Sequence, residues 1–449
     1  MNQKYDVVIA GGGTAGVVAA ISAAREGLKT ILVEKLSGLG GTQTLGMVTP
    51  FMASGVPQKG YVASAIGEEI RLEMVKRGYC EWLWFDPGML QVVLEEKVLE
   101  AGAEILYDTS VIGLQKEGKK ILSVDIFNSD GISRINADAF IDCTGDAHLT
   151  KMCGLDVMSG NKDGVNQSAS LRFEMANVDI DRLAAWLKEM GQTVGTEKPF
   201  VQICTSGAWC CQAVREKVEK AKKENRLSAV ECSHIQLFSV PGRPGVINFN
   251  CPETGAGRNV SSAAEKTRRL IAGRKSILRI ASFMKQEIPG FENACLNGIA
   301  SMLGIRESER IYAEYEYGIE DILHRRRFED AIFKSAYPVD VHGASTALGS
   351  RLEYDPCPPE EAYYEYPYRS IVPKGMDNLL VCGRCAGCDF YAQSTIRVQF
   401  SCQAMGEAAG IAAKLAQQTG AAFRDVDGEQ VSQTMRRAVK ELQEKQSTP

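Results

Sequence analysis

The glycines at positions 11, 13 and 16 carry the clearest chemistry in the chain. They stand in G-x-G-x-x-G spacing directly after an apolar run, Val7–Ala10. A stretch rich in small residues follows, then a second apolar run, Thr30–Val33, and Glu34. Strand, glycines, helix, strand and acid in that register predict a dinucleotide-binding unit. Gly11 permits the tight turn out of the strand. Gly13 lets a pyrophosphate approach the backbone, because no Cβ stands in the way, and Gly16 lets the helix pack close to the sheet. The first helical N–H groups and the positive end of the helix dipole then face the phosphates. Glu34 is placed to accept hydrogen bonds from an adenosine ribose, and its charge repels a 2′-phosphate.

Side chains able to move protons are few. The four histidines are His148, His234, His324 and His342, and imidazole is the group whose ordinary titration falls near neutral pH. His148 follows Thr144-Gly145-Asp146 at the end of a strand-like run, a second place where backbone can approach a cofactor. Arg306, Glu307 and Arg310 cluster in LGIRESERI. They suit either a bidentate clamp for a substrate carboxylate or a buried ion-pair network joining two parts of the chain. Tyr368 and Arg369 are further pocket candidates. Cys382, Cys385 and Cys388 stand in C-x2-C-x2-C spacing, which is part of an iron–sulfur ligand set. The fourth ligand would have to be distant, Cys357 or Cys402, and Cys382 ends a core-strand pattern, so no metal site is expected.

These residues need a large scaffold. At 449 residues the chain can bury a sizeable core and reads as two closely joined domains. A net charge of −5 and a pI near 5.7 argue against a dedicated nucleic-acid binder. The uncharged run 7–24 is broken by glycines and fits the nucleotide unit better than a signal or membrane segment. Fourteen cysteines without the pattern of a small secreted domain are expected as reduced thiols in a cytoplasmic protein.

Asp86-Pro87 predicts a helix start, with the helix running to Glu100 and stopping at Ala101-Gly102. Residues 104–137 read as a β-meander returning to a core strand, Ala139–Asp142. Helices are predicted near 180–190 and 208–225, strands within 230–250, and a hairpin turn at Pro241–Gly245. A long helix over 261–286 is rich in Lys and Arg. It reads as a solvated face, as does Arg325-Arg326-Arg327, with an anionic partner surface as the alternative. A strand at Asn378–Cys382, a small-residue helix from Val398 to about Gln418 and a charged helix over 425–449 complete the pattern. No second strand–GxGxxG–helix unit is present.

Three separated cofactor segments around a middle insert resemble flavoproteins of the glutathione-reductase-2-like group, and more specifically the FAD-dependent oxidoreductase family. The matching stretches include GGGTAGVVAA, GGTQTLGMVTPF, DCTGDAHLTKMCG, YPVDVHG, YRSIVPKGMDNLLVCGRC and STIRVQFSCQAMGEAAGIAA. The resemblance implies that the loop from Gly11 through Thr14 and Ala15 to Gly16 holds the FAD pyrophosphate. It places Glu34, with Lys35 beside it, at the adenosine ribose and Val111 at the adenine. Gly41 and Thr42 would pass the pyrophosphate toward the flavin, and Thr144, Gly145 and Asp146 form the second contact turn. Gly383 and Arg384 lie beside the ribityl chain, and Arg397 and Val398 at the flavin. There a helix N-terminus and a guanidinium would stabilise negative charge on reduced flavin. His342, within YPVDVHG, becomes the favoured proton carrier. Noncovalent FAD is expected, because relatives that attach it through a histidine do so near GG-T, and no histidine or cysteine lies between residues 35 and 79.

The expected fold is α/β. A discontinuous, three-layer Rossmann-like FAD domain (1–154 and 336–424) carries an inserted α+β substrate domain (155–335) and a C-terminal helix and tail (425–449). The expected function is hydride transfer between flavin N5 and a small polar substrate, with Arg397, His342, Arg306 and Tyr368 as catalytic candidates and an external electron donor or acceptor. No nucleic-acid or membrane partner is expected, and a homo-oligomer is compatible with the chain. The alternatives are a flavin-dependent RNA-modification enzyme and a flavin electron-transfer subunit.

Overall fold

The structure, a computed structural model, describes residues 4–192, 201–206, 210–343 and 352–447. Five parallel strands run in the order Glu104–Leu106, Thr30–Val33, Lys4–Ala10, Gly131–Asp142, Leu379–Val381. Alternation along them separates two cores. Val7, Ile9, Leu32, Ile141 and Leu380 meet the helices Thr14–Arg25, Pro87–Glu100 and Gln399–Thr419. Val8, Ala10, Val33, Phe140 and Val381 meet Ile121, Val124 and Ile126 of an antiparallel ribbon on the other face. The strand Gly131–Asp142 serves both layers. Its first half pairs antiparallel with Lys120–Asn128, and its second half lies parallel to Lys4–Ala10. Glu104–Leu106 does not belong to the meander, because it extends the parallel sheet beside Thr30–Val33.

Local chemistry sets the helix ends. The Asp86 carboxylate accepts from the Met89 N–H at 2.6 Å, Pro87 takes the first helical position, and the helix ends at Glu100. Ser262 caps the helix Ala263–Glu287 in the same way. The helix Ala65–Lys76, capped by Ser64, has no counterpart in the sequence reading.

The insert has its own core, drawn from Ala169 to Ile305. It is built on a five-stranded sheet in the order Gln202–Cys204, Gln236–Ser239, Ile247–Phe249, Phe173–Ala176, Cys295–Ile299, all antiparallel, with Ala263–Glu287 contributing to the same core. The boundary at 335 is therefore too late. Ile311 and Ala313 pack under the ribbon, and Tyr317, Ile322 and Phe333 enter the helix-side core. This stretch is polar and irregular in sequence, and only its tertiary contacts reveal which core it joins. The helix Gly428–Ser447 is likewise more than a tail. Val431 and Met435 are buried, and the Ser432 hydroxyl donates to the Ala331 carbonyl at 2.5 Å.

Candidate active site

One cavity of about 960 Å³ lies where the C-terminal ends of the parallel strands meet the insert. Gly13, Thr14, Ala15, Gly41 and Thr42 line it from the first turns, and Thr144 and Gly145 from the second. Gly383, Arg384, Arg397 and Val398 line it from the late segment. Gly11 and Gly16 sit behind this wall. At φ +98° Gly11 occupies the left-handed region, and a Cβ there would lie 2.6 Å from the Cys143 carbonyl oxygen. A Cβ on Gly16 would lie 1.8 Å from the Gly11 oxygen, whereas one on Gly13 would meet no described atom within 4 Å. The space above Gly13 is open cavity.

Two helices begin at this wall, Thr14–Arg25 and Gln399–Thr419. Neither N-cap, Gly13 or Val398, supplies a side-chain cap, and neither first turn carries an acid. Unpaired N–H groups and two positive dipole ends therefore face a cavity large enough for a cofactor. The Asp142 carboxylate, missed in the sequence reading, shapes the Thr144 turn by accepting from Thr144 N at 3.0 Å, Thr144 Oγ1 at 2.7 Å and Leu149 N at 2.8 Å.

Several expected contacts are engaged within the protein. Glu34 is buried and accepts from Gly12 N at 2.6 Å and Leu36 N at 2.9 Å, which ties it to the glycine turn. Lys35 is exposed beside it. Asp146 is buried and pairs with Arg384 and with Lys266 at 3.2 Å. Burial opposes its ionisation, but the Arg384 and Lys266 charges outweigh this and hold it well below the usual carboxylate range. Val111 packs on the ribbon-side core and does not line the cavity. Tyr368 is withdrawn as a catalytic candidate, because it is fully buried away from the cavity and its hydroxyl donates to the Phe423 carbonyl at 2.9 Å. Arg369 pairs with Asp330 at 2.9 Å, also away from the cavity.

The remaining candidates form one chain in which arginine, carboxylate and imidazole groups touch in turn. Arg306 Nη2 lies 3.5 Å from Glu253 Oε1, and His342 Nδ1 lies 2.9 Å from the same oxygen. His342 Nε2 is 3.1 Å from Asp340 Oδ1, and Arg397 Nη2 is 3.2 Å from Asp340 Oδ2. Both ring nitrogens of His342 thus face carboxylate oxygens. Burial would raise Glu253, but the His342 hydrogen bond and the Arg306 charge bring it down to about 2. Asp340 is held low for the same reasons. His234 also lines the cavity, with Nδ1 2.7 Å from Ser206 Oγ. Burial, then the charges of His342 and Arg306, lower it to about 4, so this imidazole is neutral at ordinary pH. Glu253 and His234 carry no motif, and only the folded insert brings them to the cofactor wall, whereas Asp340 stands two residues before His342 in YPVDVHG. His324 sits at the surface between Glu320 and Asp355, and His148 does not line the cavity.

The cysteine spacing assembles no ligand set. Cys382, Cys385 and Cys388 are buried, with Sγ atoms against the carbonyls of Met405, Cys382 and Ala386. Among the described residues no three His, Cys, Asp or Glu side chains converge as metal ligands. On the basic helix, Lys266 pairs with Asp146, Arg269 with Glu265, and Arg279 with Glu231. That removes much of the charge on which the RNA reading rested. No described helix is long and apolar enough to cross a membrane.

A family model described as FAD dependent oxidoreductase matches residues 6–443. The chain belongs to that family. It is an FAD-dependent enzyme, and the uncapped helix ends and the open space above Gly13 fit the cofactor. The digeranylgeranylglycerophospholipid reductase of Thermoplasma volcanium is 24% identical over 198 residues, 40% of this chain and 48% of that protein. The dihydrolipoyl dehydrogenase of Bacillus subtilis is 67% identical over 42 residues, 9% of each chain. The matches thus span about half or less of these relatives. Among solved structures, a geranylgeranyl bacteriochlorophyll reductase-like protein from Thermoplasma acidophilum aligns at TM-score 0.46 and 14% identity, covering 98% of this chain and 84% of that one. A p-nitrophenol 4-monooxygenase from Pseudomonas putida aligns at 0.48 and 10%, covering 98% and 89%.

Proposed function

We propose that this FAD-dependent oxidoreductase transfers hydride between a small polar organic molecule and N5 of noncovalently held FAD, with an external carrier completing the electron balance. FAD supplies the redox chemistry, and the protein's part is to position substrate, exclude water and move one proton. The observation that carries the reading is the Arg306–Glu253–His342–Asp340–Arg397 chain along the cavity that the two uncapped helix ends also enter. His342, held at both nitrogens, is suited to keep and release a proton at a fixed place. Arg397 and the N-terminus at Val398 are the positive features available to a reduced, anionic ring. Neutral His234, hydrogen-bonded to Ser206, supplies a second proton site on the insert side.

The test is direct. Acid precipitation of purified protein should release all of its flavin to the supernatant. Anaerobic addition of small alcohols, amines or hydroxy acids should then bleach the flavin band in a manner that depends on His342. A colourless protein that cannot be loaded with FAD, or flavin retained in the pellet, would contradict the corresponding part of the proposal.

A further inference from the structure

The roof of the cavity carries a guanidinium that lies over the Phe238 ring but has no carboxylate partner among the described residues. The central strands of the insert sheet alternate strictly. Phe173, Met175, Leu237, Ile247 and Phe249 enter the insert core, whereas Arg172, Glu174, Phe238 and Asn248 do not. Glu174 is already satisfied, because Arg243 grips it at 2.9 and 2.7 Å and Asn297 Nδ2 adds a third bond at 3.2 Å. Arg172, two residues earlier, has no such partner. It is 5% exposed and lines the cavity. Its Nη1 donates to Met47 O at 3.3 Å and Asn248 Oδ1 at 3.2 Å, and neither its Nε nor its Nη2 has a partner among the described residues.

The other cavity arginines are spoken for. Arg306 has Glu253, Arg384 has Asp146 and Arg397 has Asp340. Arg172 alone of these four forms no ion pair among the described residues. A buried guanidinium is strongly unfavourable until an anion meets it. Burial, reinforced by the Arg306 charge, lowers Arg172 to about 9, the mark of a cation without a counter-charge. Nη2 is the unbonded donor that the cavity can reach, whereas Nε is sealed from solvent, so an oxygen of a carboxylate can meet the guanidinium at Nη2. Nearby, Ser170, Ser206, Gln236 and Asn250 offer hydroxyl and amide groups to the rest of a small polar molecule.

We propose that Arg172 is the anion anchor of the substrate site, and that the molecule oxidised or reduced carries a carboxylate seated on this guanidinium. The proposal rests on the hydride-transfer reading of the same cavity, and it narrows the substrate class.

The experiment titrates FAD-loaded protein with acetate, malonate and benzoate, each beside its uncharged amide, and reads the flavin difference spectrum. Inorganic sulfate and phosphate are run in parallel. At least one carboxylate should give a saturable response that its amide lacks, and that exceeds the response to sulfate or phosphate. Arg172→Gln should weaken it roughly 10- to 100-fold, the range for a hydrogen bond to a charged group, with Arg172→Lys in between and flavin content unchanged. Four results would overturn the proposal: no response to any of the three carboxylates, equal responses to acid and amide, equal responses to sulfate or phosphate, or unchanged affinity in Arg172→Gln. Loss of FAD from Arg172→Gln would also overturn it, by assigning the arginine to the cofactor. The comparison of acid with amide uses unaltered protein, so a poorly folding variant does not remove the test. Failure of the cofactor assignment itself would show earlier, as protein that takes up no FAD before any anion is added.

Discussion

Glu407 offers a quantitative check on how the cofactor fold is held together. It lies on the helix Gln399–Thr419, whose N-terminus faces the cavity, and it is 2% exposed. This helix meets Thr14–Arg25 at backbone distance, since a Cβ on Gly406 would fall 2.2 Å from the Ala15 oxygen. The Ser64 hydroxyl donates to the Glu407 carboxyl, which forms no ion pair among the described residues, and Arg25 acts on it only weakly through space. Burial raises this carboxyl from its ordinary 4.5 to about 7, against the pull of the Ser64 hydrogen bond. Because the folded value lies above the unfolded one, the folded chain binds the extra proton between those limits. The associated stability is complete below about 4.5 and is lost as pH rises through 7. Carried through the linkage relation, the loss is roughly 3 kcal/mol once both states are ionised.

Glu407→Gln mimics the protonated acid and should abolish that loss. The stability of the variant relative to the parent should therefore rise by roughly 3 kcal/mol between pH 4.5 and pH 8. A constant offset of about 1 kcal/mol from the unmatched amide N–H is expected at both. Urea unfolding followed by flavin release reports the cofactor fold rather than the insert. A variant-minus-parent stability difference that stays the same from pH 4.5 to 8, or that falls as pH rises, would refute the placement of a protonated carboxyl in this helix interface.

Other substitutions separate binding from folding. Gly13→Ala adds a Cβ in open space, so the apoprotein should melt within about 1 °C of the parent while its affinity for FAD falls at least roughly tenfold. Gly16→Ala places a Cβ against the Gly11 oxygen and should lower both, as apoprotein melting and flavin content will show. Arg397→Met removes a cation and leaves Asp340 with His342 as its remaining partner. The flavin midpoint potential, measured against a reference dye, should fall by roughly 20–60 mV. Glu253→Gln unlinks His342 from Arg306 and should slow substrate-driven bleaching by roughly 10- to 100-fold without loss of FAD.

The nucleotide-binding half was legible in the residues because its constraints are local. A turn at φ +98°, a helix start without a side chain in the way and an apolar strand each demand particular residue types at fixed spacing, and Gly11, Gly13, Gly16 and Thr30–Val33 satisfy them where expected. Asp86-Pro87 and the small-residue run from Val398 fixed their helices for the same reason. Tyr368 was misplaced because family position does not say which way a side chain faces, and packing sent it into a core. Cys382 directly follows the strand Leu379–Val381, and each of the three sulfurs sits against a backbone carbonyl.

What no spacing announced is the set of groups around His342, Arg306 and Arg397. Glu253 and His234 come from the insert, Asp340 from the strand-poor return, and Arg172 from a sheet whose other face is dry. They share no local pattern, because a charge relay needs only that side chains from distant segments converge within hydrogen-bond reach. The sequence by itself determined that a dinucleotide is bound and which scaffold grips it, since backbone geometry imposes residue types directly, and the family resemblance made that dinucleotide FAD. The tertiary structure alone decided which acids neutralise which arginines, and so which arginine is left for a substrate.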